Sequence, residues 1–87
     1  MVKNFKIYPT WMLILLVTSD GDSMMKIARK VHVDYHTVSD NIKNILAPSR
    51  LINLDMVHAK KARVTFTVDG RFVATLLRQI DTKVDTK

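Results

Sequence analysis

The sequence predicts a small α+β domain, mostly α, with three helices, a β-hairpin and a C-terminal helix in a single 87-residue unit. Three observations carry that prediction. Apolar residues recur at helical spacing within 24–31, 35–46 and 72–80, while Arg63 to Val68 alternates apolar and polar with a period of two. The two glycines and two prolines fall at or near the ends of these segments.

The first helix opens after Pro9, where Thr10 is a suitable cap, and its apolar stretch Trp11 to Val17 runs into the breaker cluster Ser19, Asp20, Gly21, Asp22. A strand is the rival reading of so short an apolar run. Ser23 or Asp22 caps a second helix, in which Met24, Ile27, Ala28 and Val31 stand at i, i+3, i+4 and i+7 and make one buried stripe. His32 and Val33 interrupt the pattern. Asp34 caps a third helix from Tyr35, with Val38, Ile42, Ile45 and Leu46 on its apolar face, and Pro48 stops it. The two strands are Leu51 to Val57 and Arg63 to Val68, joined through the basic tip His58 to Arg63. Asp69 and Gly70 break the second strand. The last helix carries Phe72, Val73, Leu76, Leu77 and Ile80 on one stripe. Residues 1–9 form an N-terminal arm, 10–81 the domain and 82–87 a polar tail.

The composition narrows the function classes. With no cysteine, disulfides and thiolate metal sites are excluded. The longest apolar run has seven residues where a membrane span needs about 20, and the N-terminus lacks a signal-peptide pattern, so the expected location is the cytoplasm. Fourteen Lys and Arg against eight acids, all aspartate, give a net charge of +6. The surplus is concentrated between residues 23 and 63, where eight cations face three aspartates. A basic protein attracts polyanions, but charge alone does not read a sequence.

Residues 23–52 form two helices joined by a linker of about three residues, too short for anything but a sharp crossing. With the hairpin and last helix, residues 10–81 resemble the winged helix-turn-helix of MarR-like transcription regulators and related small archaeal and viral regulators. The resemblance rests on Ile27–Ala28–Arg29, Thr37–Val38–Ser39 with Ile42 and Leu46, Leu51–Ile52, and Val64 through Arg71. Where the family often has a glycine before the leucine–isoleucine pair, this chain has Pro48–Ser49–Arg50. The resemblance implies a transcription regulator, cytoplasmic (in the host, for a viral member), that works as a homodimer.

The third helix is the expected reader of the DNA major groove, through Tyr35, His36, Thr37, Ser39, Asn41 and Lys43. Hydroxyl, amide, imidazole and ammonium groups can donate or accept at base edges and phosphates. Asp40 is the residue on that face least suited to phosphate. The hairpin tip, with His58, Lys60, Lys61 and Arg63, is the expected wing on flanking backbone, although a charged tip also protects edge strands from pairing with another chain. Lys26, Arg29 and Lys30 of the second helix are further backbone contacts, or simply a solvated face. Trp11, Leu15, Phe72, Leu76, Leu77 and Ile80 are the expected dimer seam, with Phe5, Ile7 and Tyr8 as an arm. A twofold dimer would set its reading helices about 34 Å apart, or a multiple of it, and so predicts a palindromic site.

The expected partners are double-stranded DNA and a second copy, with no cofactor and no metal. His32, His36 and His58 are the only histidines, and neither cysteine nor glutamate is present to complete a ligand set. No serine sits in a nucleophile pattern and no phosphate-binding glycine loop occurs, so an enzyme is not expected. The alternative is a winged-helix module that docks on protein without reading DNA. RNA binding lacks a stacking platform, since Phe66 alternates with the core set.

Overall fold

The structure, a computed structural model, describes residues 8–55 and 62–85. Helix α1 (Thr10–Val17) begins at Thr10 itself, not behind it: the Pro9 carbonyl accepts the N–H groups of Met12 at 3.0 Å and Leu13 at 3.1 Å, and Thr10 caps nothing. Leu13, Ile14, Leu15 and Leu16 are all buried. Four successive buried positions wrap right round a helix, so α1 is surrounded by the rest of the fold. Each such aliphatic side chain removed from water contributes about 1.5–3 kcal/mol.

Asp22 and Ser23, expected as a chain break and a helix cap, also form a short strand, β1 (Asp22–Ser23). Helix α2 (Met24–Val31) follows directly, and Ser23 Oγ accepts the Lys26 N–H at 3.1 Å as its cap. Met24, Ile27, Ala28 and Val31 are its buried residues, the stripe the spacing predicts. His32 closes α2 in the left-handed region at φ 59°, its N–H bonded to the Ala28 carbonyl. Helix α3 (Tyr35–Asn41) starts behind Asp34, and a π turn, Ile42–Leu46, continues it.

That π turn overturns one expectation. Its bonds close five residues apart, as in Ala47 N–H to the Ile42 carbonyl at 2.8 Å. More residues per turn make each side chain lag behind its α-helical position. Val38, Ile42 and Leu46 remain fully buried, but Ile45, expected on the same face, is 40% exposed.

Strands β2 (Ile52–Asp55) and β3 (Arg63–Phe66) are antiparallel, with Ile52 opposite Phe66 and Leu54 opposite Val64 on the inner face. β1 pairs with the other edge of β3, giving the order β1-β3-β2. Helix α4 (Val68–Asp85) begins before the expected break and carries Gly70 in its first turn. Thr67 Oγ1 accepts the Gly70 N–H at 2.9 Å, and Thr67 Oγ1 also donates to the Arg50 carbonyl at 2.6 Å. Gly70 is required by close approach: a Cβ there would lie 1.7 Å from the Leu51 carbonyl oxygen. The helix then packs on α1, burying Ala74 and Leu77. Arg78 fastens the two, its Nε and Nη2 donating to the carbonyls of Leu16 at 3.3 Å and Thr18 at 3.2 Å.

Candidate nucleic-acid interface

The surface that α3 presents is set by its cap. Asp34 Oδ2 accepts the Thr37 N–H at 3.1 Å and Oδ1 accepts the Thr37 hydroxyl at 2.6 Å. The Thr37 hydroxyl and N–H bonds hold the Asp34 carboxyl below its ordinary value, against a slight opposing desolvation. With the three-residue linker locked at both ends, by His32 and by Asp34, the angle between α2 and α3 is fixed.

Of the six residues expected to read DNA, the structure leaves Tyr35, His36 and Lys43 exposed on α3 and its π turn. The rings of Tyr35 and His36 meet edge to face, centroids 6.1 Å apart. Thr37 is half-buried and occupied with Asp34. Asn41 is half-buried as well, and its Nδ2 donates to the Thr37 carbonyl at 2.8 Å. Ser39 is the correction: it is 8% exposed, on the inward side beside Val38, and offers nothing to a groove. Three residues outside the expected set share the outward surface, Asp40, Asn44 and Ile45. Helical spacing puts Asn44 on the same side as Thr37 and Asn41, whereas no periodicity signals Ile45, because the π turn displaces it.

The flanking cations divide into two kinds. Arg29 is exposed on α2, and Lys26 is 62% exposed with its ammonium 3.6 Å from Asp22 Oδ1. Lys30 is turned inward instead: Nζ donates to Asp22 Oδ2 at 2.7 Å and to the Val17 carbonyl at 3.0 Å. Two of the three ammonium donors of Lys30 are thus engaged within the fold, which gives this side chain a structural role that Lys26 and Arg29 lack. No local pattern signals this, since the second acceptor is a carbonyl at the end of α1. On the wing, Arg63 is exposed and its Nη1 donates to the Gly21 carbonyl at 2.9 Å. His58, Lys60 and Lys61 lie outside the described residues, as do Phe5 and Ile7 of the arm. Arg50 adds an exposed cation between α3 and β2, with a positive φ of 60°. It stands where the resemblance expects glycine, the residue that takes this conformation without strain.

The expected dimer seam is also redrawn. Leu15 and Leu77 are 0% and 5% exposed inside the single chain, and Trp11 is half-buried against the same core. Phe72, Leu76 and Ile80 are exposed at 65%, 42% and 50%, and Val68 joins them at 87%. These four stand at i, i+4, i+8 and i+12 along α4, one apolar row on its outer side.

No family model matches the sequence, and no curated protein does. Solved structures do. MepR, a transcription regulator of the Staphylococcus aureus multidrug efflux pump MepA, is similar with a TM-score of 0.69 and 22% identity, over 94% of this chain and 63% of that one. A transcriptional regulator of the MarR family from Silicibacter pomeroyi gives a TM-score of 0.73 at 22% identity, over 85% of this chain and 51% of that one. The fold is a winged helix-turn-helix. Within the winged helix, α2 and α3 are the helix-turn-helix pair and β2 and β3 the wing. A structure of S. aureus MepR bound to DNA is similar too, with a TM-score of 0.68, 20% identity and coverage of 95% and 71%. The chain spans about half to two-thirds of the length of the first two. Among the described residues no helix is long and apolar enough to cross a membrane, and no cluster of His, Cys, Asp or Glu could hold a metal.

Proposed function

We propose that the chain binds double-stranded DNA sequence-specifically, as a homodimer, and regulates transcription. The observation that carries this reading is the two-sidedness of α3. Val38, Ile42 and Leu46 are sealed in the core, while Tyr35, His36, Asp40, Lys43 and Asn44 face outward, and the cations Arg29 of α2 and Arg50 after the π turn are exposed too. A helix so presented fits the major groove, where Lys can donate to guanine, Asn can pair with adenine and Asp can accept from cytosine. The wing, from Arg63 toward its basic tip, meets flanking phosphate. That a regulator solved in complex with DNA shares the fold supports the assignment without supplying the contacts.

The second copy docks through the row Val68, Phe72, Leu76 and Ile80. An exposed apolar row of this kind is costly in water, and a twofold axis covers it with its own like.

The test is a titration of labelled duplex, selected from random fragments, across a range of salt. If about six phosphates are neutralised per dimer, log affinity falls against log salt with a slope of about −5. A flat response with no preference among duplexes overturns DNA readout and favours the protein-docking alternative.

A further inference from the structure

Ile45 is an aliphatic side chain on the outer surface of the helix proposed to enter DNA, and its exposure is built into the backbone. In an uninterrupted α-helix the step from Asn41 to Ile45 carries the side chain part of the way back toward the core. The π turn over Ile42–Leu46 cancels that advance and sets Ile45 in one row with Thr37 and Asn41, along the border of the outward polar face. Ile42 and Leu46 on either side stay fully buried, so the turn keeps its anchors while it releases one apolar group to the surface. Asn44 and Lys43 stand beside it, both exposed. The immediate surroundings of Ile45 are thus groups suited to base edges and phosphates, with no exposed apolar neighbour on the turn to make a docking patch.

A thymine 5-methyl is the feature of the major groove that an aliphatic side chain recognises, because it is the one apolar group presented there. We propose that Ile45 reads a thymine methyl, and that each half-site carries a thymine at the position this side chain reaches. The inference rests on the proposed DNA-binding function and deepens it: polar groups of α3 set the orientation, and Ile45 adds selection for T over C at one position per half-site.

The experiment replaces each thymine of a selected duplex with uracil, which removes the methyl and leaves every hydrogen-bonding group in place. Wild-type protein and Ile45→Ala are titrated on both series, with circular dichroism to verify that the variant is folded. At one position per half-site the wild type loses about fourfold in affinity on loss of the methyl, the worth of one buried methyl-sized group. Ile45→Ala binds the thymine duplex about fourfold more weakly and no longer distinguishes thymine from uracil. A wild type indifferent to uracil everywhere overturns the proposal while leaving DNA binding standing, as does an Ile45→Ala variant that retains the discrimination. A wild type that binds no duplex at all removes the underlying function, and the methyl contact with it.

Discussion

Lys30 Nζ lies 2.7 Å from Asp22 Oδ2, joining the solvent side of α2 to a carboxylate that is 5% exposed at the start of β1. The same ammonium takes the Val17 carbonyl and the same carboxylate takes the Ser19 N–H at 2.9 Å, so α1, β1 and α2 meet at this pair. Removing the carboxylate leaves a part-buried ammonium and a backbone donor without it. Asp22→Ala is expected to lower unfolding free energy by about 1–3 kcal/mol, the range for hydrogen bonds to charged groups. Lys26→Ala, which loses a pair 3.6 Å long on a side chain 62% exposed, should change it by less than about 1 kcal/mol. Urea titrations of the two variants check the contrast.

Acid is expected to loosen the same corner. Burial raises the Asp22 carboxyl, but the hydrogen bonds from Lys30 and the Ser19 N–H, with the charges of Lys30 and Lys26, outweigh it and hold the group below its ordinary 3.8. Asp20 is held down as well, first by the Phe66 N–H and then, against some desolvation, by Arg71. A carboxyl depressed in the folded state stabilises fully above its unfolded value, and that contribution is lost as pH falls through the folded one. Stability should therefore hold from neutrality to about pH 4 and decline below it. Asp22→Asn should flatten that decline, which thermal melts between pH 7 and pH 2.5 would reveal; an unchanged acid limb would count against the role given to Asp22.

Gly70→Ala is expected to be among the most damaging single changes. The added methyl would stand 1.7 Å from a backbone oxygen that itself accepts the Thr67 N–H at 3.2 Å. Neither partner is a flexible side chain, so relief requires moving the start of α4 away from the segment leading into β2. A loss of about 3 kcal/mol or more is expected, or failure to fold. Gly21→Ala, with nothing within 4 Å but a φ of +89°, should cost only about 1 kcal/mol of backbone strain.

Arg50→Gly should separate stability from binding. The left-handed conformation at φ 60° costs a non-glycine residue about 1–2 kcal/mol, part of which glycine loses again to its greater freedom when unfolded. A gain of about 0.5 kcal/mol is expected in denaturant, together with weaker binding to all duplexes alike. The salt slope should shrink in magnitude by about 1 for each phosphate that Arg50 had neutralised. Lys30→Ala should do the reverse, lowering stability and leaving the slope where it was.

The proposed dimer row is checked by charge. Phe72→Glu, at a position 65% exposed in the single chain, should leave the fold intact and yield monomers in sedimentation. Leu77→Ala, which hollows the core, should instead cost about 2–4 kcal/mol.

What the sequence disclosed follows the range of the interactions involved. Ser23 and Asp34 were legible as caps because their acceptors and donors lie three residues apart, inside the window that a pattern can see. The stripe of α2 and the alternation of β3 were legible for the same reason. Strand β1 was not, since its two residues owe their conformation to Val64 and Arg63, some forty positions on. Ser39 and Ile45 exchanged places relative to expectation: a hydroxyl near the helix centre was read as outward by its chemistry, and an isoleucine as inward by its spacing, before the π turn altered the spacing. Lys30 and Leu77 illustrate a further limit, that one helix's residues do not reveal how much of its surface another helix will claim.

Arg78 gives the assembly a mechanical character. A planar guanidinium that grips two carbonyls at the end of α1 resists both sliding and rolling of α4, where apolar packing alone would permit either. The long helix is thereby coupled to the body like a lever keyed to its shaft. Torque applied to its outer edge is delivered to the hydrophobic centre in which Val38 of α3 is also seated, and is not dissipated at the joint between them.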